Sequence, residues 1–76
     1  MVIKLNDFGK IKKFANKVCA FEEPIEISRV GENTVYSAKS ILSLFAMDLS
    51  SDLLVRIVTN NDERKAIFER EMELFQ

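Results

Sequence analysis

A short and strongly apolar segment at residues 38–51 constrains the fold more than any other part of this chain. Ser40 is a residue type that accepts hydrogen bonds from the free amides at the start of a helix. Ile41, Leu44 and Phe45 follow it at the i, i+3, i+4 spacing of one helix face. A helix this short is not stable in isolation, so the rest of the chain has to provide the surface on which it packs.

Leu42 and Met47 add apolar side chains to this segment outside that face. The segment is therefore either buried on two sides or presents an apolar patch to a partner. Phe45 has the same two interpretations, docking residue or core residue, because its i+4 relation to Ile41 also fits a core position.

Length and composition predict one domain over residues 1–76, with a modest core and no deep cavity beside it. The sequence is 47% hydrophobic and 30% charged, which is typical of a soluble globular domain. Its apolar runs are too short to span a membrane, and no signal-peptide pattern is present. Cys19 is the only cysteine and histidine is absent. We therefore expect no disulfide, no metal site and no cofactor, and a cytoplasmic location.

The sequence lacks the residue patterns that are typical of enzymes and nucleic-acid-binding proteins. There is no histidine, the single thiol is expected to be buried, and no carboxylates pair around an evident cleft. The lysines of the first helix have no aromatic residues between them, and the net charge is −1. We therefore predict no catalytic residues and no nucleic-acid partner.

Four segments have the patterns of β-strands. Residues 2–5 form a short apolar run, and residues 25–30 begin with alternating apolar and polar side chains. Turn residues at 31–33 connect the latter to residues 34–37, which predicts a hairpin. The aliphatic density of residues 53–59 predicts a well-buried interior strand.

Two longer helices accompany the short one. The first follows a cap at Asn6 or Asp7 and runs to about Ala20, and the last begins near Asp62 and Glu63. The residues expected to face inward from the first helix are Ile11, Phe14, Ala15 and Val18. Those expected to face inward from the last helix are Ile67, Phe68, Met72, Leu74 and Phe75.

The order of elements is therefore β-α-β-β-α-β-α. Two split β-α-β units with a hairpin between them predict an α+β open-faced sandwich. In this fold, a four-stranded antiparallel sheet carries three helices on one face.

Positive charge is concentrated at the beginning of the chain. Residues 1–20 contain five lysines and only one acidic residue, whereas the remaining residues contain the other eleven acids. Lys10, Lys13 and Lys17 recur on one face of the first helix and are called the lysine ridge below. The ridge is either an ordinary solvated face or a docking surface for an acidic partner.

The order of elements and two stretches of sequence resemble the HPr family, the small phosphocarriers of the bacterial sugar phosphotransferase system. The stretches are Thr-Val-Tyr-Ser-Ala-Lys-Ser-Ile-Leu at residues 34–42 and Asp-Glu-Arg-Lys-Ala-Ile at residues 62–67. The resemblance covers most of the chain and is weaker before Phe21. It implies an HPr-like open-faced β-sandwich.

The resemblance also shows that the carrier chemistry is missing. The family carries its phosphoryl group on a histidine at the start of the first helix, and that position falls at Asp7 or Gly9 here. An imidazole accepts and passes on a phosphoryl group at neutral pH, and neither glycine nor lysine replaces it. Asp7 is either a degenerate phosphoacceptor that forms an acyl phosphate or simply the N-cap of the helix. We expect no phosphoryl transfer by this chain.

Ser40 corresponds to a serine that a dedicated kinase phosphorylates in Gram-positive members of the family, after which the modified protein binds a transcription regulator. A phosphate at a helix start gains from free amides and the helix dipole, and Lys39 lies beside it. The alternative is that Ser40 is only a helix cap.

The resemblance therefore implies a regulatory or docking role within the phosphotransferase system. The expected partners are a phosphotransferase-system protein, a serine kinase or a transcription regulator. The residues expected to dock them are Lys10, Lys13, Lys17, Lys39, Ile41, Leu42, Phe45 and Met47. Asp48 stands where the family commonly has glycine, so the exit of the short helix is expected to differ. The alternative function is an interaction or assembly module, monomeric or a weak homodimer, with no link to sugar transport.

Overall fold

The computed structural model describes residues 1–40, 44 and 47–76. Within these residues the chain forms β-strands, two α-helices and a terminal 3-10 helix. In chain order they are β1 (Val2–Ile3), α1 (Phe8–Cys19), β2 (Ile25–Arg29), β3 (Tyr36–Ser37), β4 (Leu53–Ile57), α2 (Asp62–Met72) and the 3-10 helix (Glu73–Phe75). No helix in these residues is long and apolar enough to cross a membrane.

The strands form one antiparallel sheet in the order β1-β4-β2-β3. β4 lies between β1 and β2, which confirms the predicted interior strand. β1 and β2 run parallel on either side of β4, so β1-α1-β2 is a split β-α-β unit. β1 ends earlier than predicted, because the Lys4 N–H donates to the Phe75 carbonyl (2.7 Å) at the other end of the chain.

One face of the sheet packs against the helices and forms the core. β4 alternates strictly, with Leu53, Val55 and Ile57 buried and the residues between them exposed. The aliphatic run of β4 is therefore buried on one face only. The helices and the terminal turn cover that face with Phe14, Val18, Phe68, Met72 and Phe75. These five were predicted to face inward, and their burial confirms the α+β architecture.

Two edge-to-face aromatic pairs join α1 and the segment after it to the C-terminal elements. Phe14 meets Phe75 with ring centroids 5.6 Å apart, and Phe21 meets Phe68 at 5.5 Å. Such pairs add to the free energy gained by burying the rings.

Two residues of the predicted helices have the opposite exposure to the one predicted. Leu74 is 55% exposed, because it follows the buried Met72 by only two residues and so lies on the other side of the helix. Phe75 follows Met72 by three residues, which returns it to the core side. Cys19 is exposed rather than buried, because it follows the buried Val18 by one residue and lies about 100° around the helix.

The predicted short helix falls on residues 41–46, of which the structure describes only Leu44. Leu44 is helical and buried, and its N–H donates to the Ser40 carbonyl at 3.1 Å. Met47 also lies in the core, with 8% of its surface exposed. Asp48 does not adopt the left-handed backbone expected of a glycine replacement. Its carboxylate instead accepts the Ser50 N–H (3.0 Å) and hydroxyl (2.5 Å).

Candidate functional site

Asp7, one of the two positions at which the resemblance predicts a degenerate phosphoacceptor, caps the first turn of α1. Asp7 has an extended backbone, and its carboxylate accepts the Lys10 N–H at 2.8 Å. The Ile11 N–H donates to the Asp7 carbonyl at 3.1 Å. A Cβ at Gly9 would lie 3.2 Å from the Asp7 carboxylate, so the cap leaves little room there. The carboxylate thus performs the N-cap role that the sequence predicts.

Phe8 is an exposed aromatic residue beside this cap, and the sequence patterns did not assign it a role. Its side chain is 70% exposed at the first position of α1. A side chain in the first turn points back beyond the helix end, where no further turn covers it. The signal in the sequence was that Phe8 directly follows the residue predicted as the cap.

The three residues of the lysine ridge differ in their surroundings. The Lys17 ammonium pairs with the Glu71 carboxylate of α2 at 2.6 Å, so its charge is compensated within the chain. Lys10 is partly exposed and Lys13 is exposed, and among the described residues neither forms an ion pair. The charge available to an acidic partner therefore lies near the start of α1.

Lys39 lies beside the opposite end of α1. The Lys39 ammonium donates to the carbonyl of Phe21, just after that helix. α1 has 12 residues, so Phe21 is about 20 Å along the helix axis from Asp7. The structure thus places Asp7 and Lys39 near opposite ends of α1.

Ser40 is partly exposed and begins a helical turn. Its N–H donates to the Ser37 carbonyl at 3.1 Å, and its own carbonyl accepts the Leu44 N–H at 3.1 Å. A carbonyl that accepts the first i+4 bond is what an N-cap residue contributes to a helix. The carbonyl of Ser40 therefore makes the backbone hydrogen bond of a residue at a helix start.

The remaining apolar docking residues divide into two groups. Met47 is buried in the core, so it is not available to a partner, contrary to the prediction. Ile41, Leu42 and Phe45 lie outside the described residues.

A cluster of Phe21, Glu23 and Arg64 joins the α1–β2 connection to α2. The Arg64 guanidinium donates two hydrogen bonds to the Glu23 carboxylate (2.7 and 3.1 Å) and lies 5.3 Å from the centre of the Phe21 ring. The hydrogen bond from Arg64 is the main cause that lowers the pKa of Glu23 to about 2, and the nearby Lys39 ammonium adds to it. The same hydrogen bond raises the pKa of Arg64. Sequence patterns missed this cluster because its charged partners are 41 residues apart.

The described residues contain no group of three or more side chains that could hold a metal ion. Neither protein-family models nor curated proteins match the chain.

Proposed function

We propose that this chain is an HPr-like protein without phosphoryl-carrier activity, which acts as a regulatory docking partner and is switched by phosphorylation of Ser40. The observation that carries the proposal is the position of Ser40, which is partly exposed and begins a helical turn. A phosphate at a helix start carries about two negative charges that the helix dipole favours, and Lys39 is its neighbour in the chain. The modification therefore changes the surface charge without opposing the local backbone.

The missing carrier chemistry supports a regulatory rather than a catalytic role. Histidine is absent from the sequence, and the Asp7 carboxylate caps α1 by accepting the Lys10 N–H. The uncompensated charges of Lys10 and Lys13 provide the attraction for an acidic partner surface. Ser40 would then act as the switch, and the start of α1 would steer association.

Treatment with the serine kinase of the HPr family and ATP tests the proposal. We expect the intact mass to increase by one phosphate, peptide mapping to place that phosphate on Ser40, and Ser40→Ala to remain unmodified. Ser51→Ala is the matched control, because Ser51 is another partly exposed serine in a connecting segment. It should be phosphorylated like the wild type.

A second incubation, with phosphoenolpyruvate and Enzyme I of the phosphotransferase system, should leave the mass unchanged. A phosphate that appears there and is lost in Asp7→Ala would show that Asp7 is a carrier. The absence of phosphate on Ser40 after kinase treatment would remove the proposed switch.

A second candidate function is an assembly module with no link to sugar transport. It is favoured by the sheet face opposite the helices, where Val2 and Leu54 are more than 40% exposed. Sedimentation together with binding to Enzyme I and to the catabolite regulator separates the two candidates. Self-association without affinity for either protein would favour assembly.

A further inference from the structure

The sheet face opposite the helices is not covered by any described element of the chain. It is called the open face below. Side chains on this face alternate with the buried ones along each strand. They include those of Val2, Lys4, Glu26, Ser28, Val35, Asp52, Leu54 and Arg56.

The centre of the open face is an apolar row that crosses the sheet. Leu54 of β4 lies directly opposite Val2 of β1 on one side and Ser28 of β2 on the other. The β2–β3 register continues the row to Val35, which lines the same shallow groove as Leu54. Val2, Leu54 and Val35 are 43%, 41% and 55% exposed. Three large apolar side chains are thus aligned in water.

One ion pair lies on each side of this row. The residue contributed by β4 or the position just before it is negative on one side and positive on the other. Asp52 precedes Leu54 by two residues and pairs with Lys4 at 3.9 Å. Arg56 follows Leu54 by two residues and pairs with Glu26 at 2.5 Å. Each charge on β4 therefore lies about 7 Å from Leu54, one negative and one positive.

We propose that the open face binds a second copy of this chain, face to face, around a two-fold axis that runs along the apolar row. Such an axis lays Leu54 over Leu54 of the second copy and reverses the direction of the facing β4. Asp52 of each copy then faces Arg56 of the other. Two sheets packed with aligned strands are a common arrangement, and a two-fold interface requires a self-complementary surface.

The charges of the two copies match over more than one pair. On each side of the row, a line of four charged residues would run across the strands. Its order would be Glu26 and Arg56 of one copy, then Asp52 and Lys4 of the other. The signs alternate along this line, so each side holds two cations and two anions. This self-complementarity favours a second copy over an acidic or a basic partner, because the face has no excess charge of either sign.

The size of the open face predicts a weak dimer. Four strands about 4.8 Å apart and five residues at about 3.4 Å each give a footprint of roughly 300 Å² per copy. This is well below the area of about 800 Å² per partner that is typical of stable complexes. We therefore expect rapid exchange, with dimers detectable only at high protein concentration.

This inference deepens the second candidate function and is independent of Ser40. The experiment measures sedimentation equilibrium of the wild type, of Asp52→Arg and of Arg56→Asp, each alone and the two variants mixed. Alone, Asp52→Arg would place arginine opposite arginine, and Arg56→Asp would place aspartate opposite aspartate. Each is expected to self-associate at least about tenfold more weakly than the wild type.

The mixture of the two variants is the decisive arm. In the heterodimer, Arg at 52 faces Asp at 56 and Arg56 faces Asp52, so association should return to near the wild-type level. Reduced stability of either variant cannot produce such a recovery. The altered side chains are exposed, and loss of exposed ion pairs costs little, so both variants are expected to fold. Circular dichroism checks this.

Substitutions of two exposed leucines provide a matched comparison. Leu54→Lys should abolish self-association by placing two lysines on the axis, whereas Leu74→Lys should not, because Leu74 is exposed on the terminal 3-10 helix. A wild type that stays monomeric at about 1 mM overturns both the interface and the assembly function. Self-association without variant effects, or without recovery in the mixture, overturns this interface alone.

Discussion

At the scale of single residues, the ion pair of Glu23 and Arg64 makes the stability of the fold depend on pH. The pKa of Glu23 is lowered from 4.5 to about 2, mainly by the hydrogen bonds from Arg64. Between these two values the unfolded chain binds more protons than the folded chain. The stabilisation is therefore fully present above about pH 4.5 and is lost as the pH falls toward 2.

Glu23→Gln should remove this pH dependence. We expect the wild type to be more stable than Glu23→Gln at pH 6, and the difference to shrink steadily below pH 4.5, as measured by urea unfolding at each pH. Glu69→Gln is the control, because Glu69 is an exposed carboxylate of α2 and forms no ion pair within the described residues. Parallel curves for the wild type and Glu23→Gln would contradict the assignment.

At the scale of elements, the start of α1 depends on one side chain. Asp7 accepts the Lys10 N–H, and Asp7→Ala leaves that amide without its side-chain partner. We expect Asp7→Ala to lower the free energy of unfolding by about 1 kcal/mol, whereas Asp7→Asn should cost little because asparagine caps about as well. Chemical denaturation of the three proteins measures this. Equal losses in both variants would mean that the charge, and not the cap, matters.

The C-terminal element shows how the position around a helix decides which of two neighbouring apolar residues is buried. α2 ends at Met72, and the next three residues form a 3-10 turn. Phe75 follows Met72 by three residues and lies on the same side, whereas Leu74 follows it by two and lies on the other side. Helix periodicity therefore separates the two residues, and the prediction that both face inward was wrong for Leu74.

At the scale of the whole molecule, Phe75 holds the C-terminal turn against both α1 and β1. Its ring packs edge-on against Phe14, its carbonyl accepts the Lys4 N–H, and it is fully buried. Phe75→Ala should therefore cost about 3–5 kcal/mol. A domain of this length has a total stability of about 4–11 kcal/mol, so a large part of it would be lost.

Thermal and urea unfolding of Phe75→Ala and Leu74→Ala test this expectation. The neighbouring Leu74 is exposed, so Leu74→Ala should change the free energy of unfolding by no more than about 0.5 kcal/mol. Similar costs for the two substitutions would show that the terminal turn is not packed as described.

Much of the fold could be predicted from local patterns. The i, i+3, i+4 spacing of Phe14 and Val18 and the cap at Asp7 depend on neighbours within a few residues, so they are visible in the sequence. The candidate site was less predictable. Lys17 belongs to an apparently uniform lysine ridge, yet its charge is compensated by Glu71, which is 54 residues away. Met47 belongs to the apolar segment at residues 38–51 and was predicted to contact a partner, but it lies in the core.

The sequence by itself determined the α+β class, the interior position of the last strand, the cap at Asp7 and the absence of histidine. Only the tertiary structure decided that Lys39 lies by the end of α1, that Glu23 pairs with Arg64, and that Asp52 and Arg56 flank an apolar row on an open face. The physical reason is the range of the interactions. Helix caps and periodicity act over a few residues, whereas ion pairs and cross-strand neighbours are set by how distant segments pack.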